Sequence, residues 1–238
     1  MPSLLLAFHR LGSLPYFYKL AGKLLPWVGG LSIVLFGFGL YIGLVLAPTD
    51  YEQGESYRII YVHVPAAWMS MFVYVVLAFS GAIALIWRLK LAEVVARASA
   101  PIGASYTFLA LATGSIWGKP MWGTWWVWDA RLTSVLILFI TYLIIIFVRP
   151  SFTNADVGEK ITAIFVIISS INLPIIKFSV DWWNTLHQPA SISKLSSPSI
   201  HISMLIPLFI MLIAFISISL LIAIVRIRLE IIERKLQI

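Results

Sequence analysis

The side chains in this sequence with the most chemistry to offer are imidazoles and indoles. His63 lies in YVHVPAAW, His187 in DWWNTLHQP, His201 opens the last apolar run, and His9 sits in a basic N-terminal segment. A neutral imidazole is a ready ligand for a transition metal. Between His63 and His187 runs WGKPMWGTWWVWDARLTS, residues 117–134. It places Trp117, Trp122, Trp125, Trp126 and Trp128 within twelve residues, and Trp182 and Trp183 follow further on. Indole offers flat apolar area and an N–H for a polar edge. Gly118, Pro120 and Gly123 read as breaks that turn this backbone and present the rings as a platform. Lys119 and Arg131 can pair with carboxylates on a ligand. Asp129 has two readings, one facing a ligand and one capping the helix that follows. The chain has no cysteine, so thiolate metal sites and thiol redox steps are excluded. No nucleophile–base pair stands out, which argues against an enzyme with a covalent intermediate.

The elements that must position these residues are membrane helices. Of the 238 residues 61% are hydrophobic and 11% charged, against about half and about a quarter in a soluble domain. Six apolar runs are long enough to cross a bilayer, which needs roughly 20 helical residues. Their limits are Leu24–Leu46, Val64–Arg88, Val94–Ile116, Ala130–Val148, Ile161–Phe178 and His201–Val225. Asn172 and Pro174 interrupt the fifth, and a kink packed against neighbouring helices would tolerate them. The fold expected is all-α, one six-helix domain over residues 1–238, with residues 117–134 forming an outer loop and the start of the fourth helix. His63 is expected just before the second helix, with Pro65 in its first turn. If residues 182–187 form a short helix, Trp183 and His187 share one face. The N-terminus is not a typical cleaved signal, because the first apolar run is too long.

Orientation follows from the basic residues. Twelve of the 17 lysines and arginines, including Arg10, Lys19, Lys23, Arg97, Arg226 and Arg228, lie on the side of the termini. Five, Arg58, Lys119, Arg131, Lys177 and Lys194, lie on the other. The positive-inside rule places both termini in the cytoplasm and the three unusual loops outside, which in a bacterium is the periplasm. The net charge of +7 is then a property of inner loops and implies no nucleic acid. His9 reads as a polar residue of an interfacial helix. Trp27, Trp68 and Trp87 read as members of an aromatic belt. His63, His187 and the tryptophan run, however, converge on the outer face, and one ligand class meets all their features. Haem is flat and apolar, carries two propionates and takes axial histidines at its iron.

The long tryptophan motif, with HVPAAW before it and WWNTLHQ after it, resembles the haem-handling superfamily of cytochrome c biogenesis. Within that superfamily it is most similar to the cytochrome c maturation C, or haem exporter C, family, across all six spans and the three outer loops. The resemblance implies a b-type haem with His63 and His187 as its axial ligands. It implies that the tryptophan loop holds this haem and presents it to a periplasmic haem chaperone. It further implies assembly in the bacterial inner membrane with two ATP-binding-cassette subunits, a partner membrane subunit and a small single-span protein. His201 carries no role in that family's pattern. Two other readings of the residues are a haem permease and a b-type electron-transfer cytochrome. A permease usually places polar groups at midplane broken helices, which here are hinted at only by Asn172 and Pro174.

Overall fold

The computed structural model describes residues 12–188 and 199–236. His9, Arg10 and Lys194 therefore lie outside the described residues. Among those described the chain is helical, with one isolated β-bridge between Asp50 and Gly54 and no strand. The helices are α1 (Leu14–Tyr41), α2 (Ile60–Trp87), α3 (Lys90–Trp122), α4 (Ala130–Val148), α5 (Ala155–Ser169), α6 (Asn172–Trp182) and α7 (Ile202–Leu236). With their short 3-10 and π extensions they make six segments long and apolar enough to cross a membrane. α5 and α6 together form the fifth. The all-α reading with six spans holds.

The spans pack through small residues. α2 and α3 make the most extensive pair, and α1 lies against α7. α3 buries Ala96, Ala98, Ala100, Gly103, Ala104 and Ala110, which lets neighbouring backbones approach where lipid supplies no hydrophobic drive. The Tyr142 ring of α4 lies against Gly103, and its hydroxyl donates to the Ser70 carbonyl of α2 at 2.8 Å. Tyr74 packs edge-on against Tyr142 at 5.2 Å and donates to the Val166 carbonyl of α5 at 3.2 Å. Four spans are thus joined through two buried phenols. The outward faces carry large exposed apolar side chains such as Ile33, Phe38, Phe79, Ile168 and Ile213, as a lipid-facing surface requires.

The fifth span breaks where its sequence suggested. α5 ends at Ser169 and α6 begins at Asn172, with Pro174 in the first turn of α6, where no intrahelical N–H bond is lost. Asn172 is buried and donates to the Ser134 carbonyl of α4 at 2.8 Å. That bond is the packing that makes a polar break tolerable at this depth.

The end of the bundle carrying the termini is tied by charge. Arg97 of α3 pairs with Glu159 of α5, and with Glu230 of α7 at 2.6 Å. Arg234 of α7 reaches Glu93 of α3 at 3.0 Å, and Arg149 beyond α4 reaches Glu159 at 3.4 Å. The other end opens into a cavity.

Three boundaries differ from expectation. α3 runs to Trp122, so Trp117, Gly118, Lys119 and Pro120 are helical, and the connection proper spans only residues 123–129. The helix survives Pro120 because it lies in the last turn and only one internal bond is forfeited. Gly118 lets the Trp122 ring fold back against its own helix; a Cβ there would stand 3.0 Å from that ring. Gly123, at φ 74°, stops the helix by donating to the Lys119 carbonyl. Second, a 3-10 turn over Glu55–Ile59 leads into α2, so His63 lies inside the helix rather than before it. Third, α6 stops at Trp182; Trp183 is extended, and Trp183 and His187 share no helical face.

Candidate functional site

Between the ends of α2, α3, α4 and α6 lies a cavity of about 990 Å³, at the upper end of the roughly 300–1,000 Å³ usual for ligand pockets. His63, His187, Trp117, Trp122, Trp126 and Arg131 line it. The two helices that form its walls show the expected spacing. Val64, Ala67, Trp68 and Met71 of α2 fall at i, i+3, i+4 and i+7, and Ala110, Gly114, Trp117, Gly118 and Met121 follow on α3.

The histidine tautomers follow from their partners. The Thr113 hydroxyl donates its one hydrogen to the Leu109 carbonyl at 2.6 Å, so it accepts at 3.0 Å from Nδ1–H of His63. Nδ1 of His187 faces the Gln188 carbonyl at 3.0 Å, and a carbonyl only accepts. Both rings are therefore protonated on Nδ1 and keep the Nε2 lone pair, the form in which an imidazole binds a metal. Burial, followed by the charge of Arg131, holds the His187 pKa below its usual 6.5; the Gln188 carbonyl and Asp129 pull in the opposite direction. The net effect favours the neutral ring.

The first ring is fixed by α3. Trp117 lies edge-on to His63 at 5.7 Å and to Tyr57 at 6.0 Å. Its indole N–H donates to Oε1 of Gln53 at 2.9 Å. Gln53 is presented by a turn in which the Asp50 carboxylate accepts from the N–H groups of Glu52 and Gln53. Gly54, at φ 58°, closes that turn in a conformation suited to glycine. Gly114 leaves room for the imidazole: a Cβ there would lie 3.0 Å from its Cε1.

The second ring depends on Asp129. Its Oδ1 accepts from the Leu132 N–H at 2.7 Å, so the capping role is real, while Oδ2 receives the Thr185 hydroxyl. The same Thr185 oxygen accepts the His187 N–H at 3.0 Å. Asp129 thus reaches His187 through Thr185 and is not among the residues that line the cavity. Arg131 lines the cavity and is held by Ser179 Oγ at 3.1 Å and the Lys177 carbonyl at 3.4 Å, both on α6.

Several candidates lie elsewhere. Lys119 is exposed and donates to the Gly123 carbonyl at 2.9 Å, capping its own helix. Trp125 and Trp128 are 57% and 75% exposed and do not line the cavity, although Trp128 meets Trp126 edge-on at 5.5 Å. Trp182 stacks on Phe178 at 5.3 Å outside the cavity. His201 is exposed and bonds Ser203 at the start of α7. Conversely Trp68, read as belt, lines the cavity, and so do Gln53, Tyr57 and Gln188. The signal for Trp68 was its register four residues after Val64, which with Ala67 at i+3 and Met71 at i+7 puts it on this wall.

Known proteins carry the same sequence pattern over nearly the whole chain. The sequence model of the family described as "Heme exporter protein C" matches residues 7–238. The protein named Heme exporter protein C of Haemophilus influenzae is 51% identical over 216 residues, covering 91% of this chain and 88% of that protein. The protein of the same name from Bradyrhizobium diazoefficiens is 48% identical, covering 93% of this chain and 84% of its own length. A protein of Marchantia polymorpha named putative cytochrome c biosynthesis ccmC-like mitochondrial protein is 50% identical, covering 78% of each. On a match of this extent, the chain belongs to the heme exporter protein C family.

Proposed function

We propose that this chain holds a non-covalently bound haem at the outer face of a bacterial inner membrane and presents it for cytochrome c maturation. One observation carries the reading: two imidazoles from separate elements, each with Nδ1 engaged by a hydrogen-bond partner, line a single indole-walled cavity. Porphyrin supplies four ligands to its iron, so two histidines complete the set. Among the described residues no cluster of three or more His, Asp or Glu side chains suits a bare metal ion. Trp117, Trp122 and Trp126 give the flat walls, and Arg131 is the cation set to meet a propionate. Lys119 is withdrawn to its helix end.

Orientation rests on the excess of lysine and arginine at the end of the termini. The exposed rings of Trp125 and Trp128 beside the mouth form an apolar surface on which a periplasmic haem chaperone would dock. Haem handling here is a task of binding and positioning. Any ATP hydrolysis would belong to cassette subunits of a complex that also includes a partner membrane subunit and a small single-span protein.

The direct test is titration of the purified full-length chain with haem. A saturable shift to a six-coordinate, low-spin spectrum is expected; a spectrum matching haem in empty detergent micelles would overturn the reading. Two substitutions refine it. Arg131→Gln is expected to weaken haem binding about tenfold, the range for a lost charge-assisted contact, and to leave haem dimethyl ester, which lacks the carboxylates, unaffected. Lys119→Gln should change neither. Gly114→Val is expected to push His63 off Thr113 and lower haem affinity by about tenfold to a hundredfold, the cost typical of lost second-shell support. Gly114→Ala should do so less.

A further inference from the structure

A second, smaller cavity lies away from the histidines, in the half of the bundle that carries the termini. It measures about 250 Å³ and is bounded by Phe36 of α1, Pro101, Ile102 and Leu109 of α3, and Phe215 and Ile222 of α7. Two hydroxyls line it, and that of Ser105 donates to the Pro101 carbonyl at 2.9 Å. The Tyr106 hydroxyl is likewise bonded to Ser219 at 2.6 Å. Arg226 closes one end of the groove.

That arginine is unlike its neighbours on α7. Arg228 donates to the Tyr18 carbonyl at 3.1 Å and lies over the Tyr18 ring at 4.1 Å, and Arg234 sits in the ion-pair cluster. Arg226 is exposed and has no hydrogen bond or ion pair among the described residues. It is also the first charge after the apolar stretch of α7. Phe215, at the far end of the groove, is eleven residues away, about 16 Å along a helix. Half of a bilayer's hydrocarbon thickness is about 15 Å. The groove therefore runs from mid-membrane to one headgroup layer, apolar along its length and cationic at its end.

We propose that this groove is a binding site for one anionic phospholipid, with an acyl chain between α1, α3 and α7 and its phosphate on Arg226. The shape favours a chain over a protein helix, whose diameter with side chains is about 10–12 Å. The charge favours a phosphate at that depth, where an unpaired guanidinium would otherwise face headgroups alone. The inference is independent of the haem reading, since the two cavities share no lining residue.

The test is native mass spectrometry of the full-length chain released from mixed micelles. These would contain phosphatidylglycerol and phosphatidylcholine with identical chains in equal amounts. Preferential retention of one phosphatidylglycerol is expected. Arg226→Gln should cut that preference about fivefold, the effect of one basic residue at an anionic surface, and Arg226→Lys should largely keep it. Ile222→Trp, which fills the groove, should remove the retained lipid of both kinds while leaving helicity and monodispersity unchanged. Equal retention of both lipids by the unaltered protein, or unchanged preference in Arg226→Gln, would overturn the proposal. So would full competition by glycerol phosphate, which would mark a headgroup site without a chain. Retention unaffected by Ile222→Trp would show that the lipid sits elsewhere and leave the groove to another occupant.

Discussion

Replacing His63 and His187 together by alanine is expected to abolish the six-coordinate haem spectrum and lower retained haem by more than about a hundredfold, beyond the roughly 10–100-fold typical of second-shell losses. The single substitutions separate the two roles. His63 stands on α2 with its ring fixed by Thr113, Trp117 and the space at Gly114. His187 stands on a connection held by Thr185 and Asp129. Each single alanine should yield a five-coordinate spectrum, and added free imidazole should restore six-coordination by filling the vacated space. The measurement is absorption and magnetic circular dichroism of the haem-loaded, full-length chain. Unchanged spectra in both single variants would sink the ligand assignment while leaving the cavity intact. Asp129→Ala should disturb His187 and leave His63 in place, because its carboxylate holds Thr185 against the His187 backbone; it should also cost the α4 cap.

The largest effect expected on stability comes from a glycine far from the histidines. A methyl group at Gly103 would fall inside the space of the Tyr142 ring, which is 0% exposed. The ring cannot yield cheaply. Moving it strains a packed core, at about 1–3 kcal/mol, and detaches its hydroxyl from the Ser70 carbonyl, leaving a buried polar group at about 1–3 kcal/mol more. Gly103→Ala is thus expected to destabilise the bundle by about 3 kcal/mol or more, read as a lowered midpoint of thermal unfolding in detergent. Gly103→Ala combined with Tyr142→Phe should recover part of the loss, since the orphaned hydroxyl is removed. Gly30→Ala makes a suitable control, because nothing stands within 4 Å of the position a Cβ would occupy there.

Much of this architecture was legible in sequence because bilayer physics is one-dimensional. Long apolar runs had to be helices, and the break at Asn172 and Pro174 had to find a partner, which proved to be the Ser134 carbonyl. Element ends were harder to read. Pro120 and Gly118 carry the turn signals of local chemistry, yet α3 continues through both because Trp122 packs back over Gly118. The histidine and tryptophan set was visible as residue types, and its partition was not. Which tryptophans face inward depends on helical register past Gly118, and Trp68 entered the cavity from a span that looked like membrane anchor. Asp129 could be weighed between cap and ligand from its position alone. Its link to Thr185 crosses 56 residues, and no local pattern announces such a contact.

The charge cluster at the end of the termini has a mechanical consequence. Arg97, Glu159, Glu230, Arg234, Glu93 and Arg149 clamp α3, α5, α7 and the turn after α4 at one end of the molecule. At the other end the cavity opens between α2, α3, α4 and α6, and the connection carrying His187 is held by a few hydrogen bonds. For α3, which runs from these charges to the cavity wall, a small tilt about the charged end would give its widest displacement at the tryptophan-lined end. Loosening the clamp, for example with Glu159→Gln, would therefore change the gape of a mouth at the far side of the membrane.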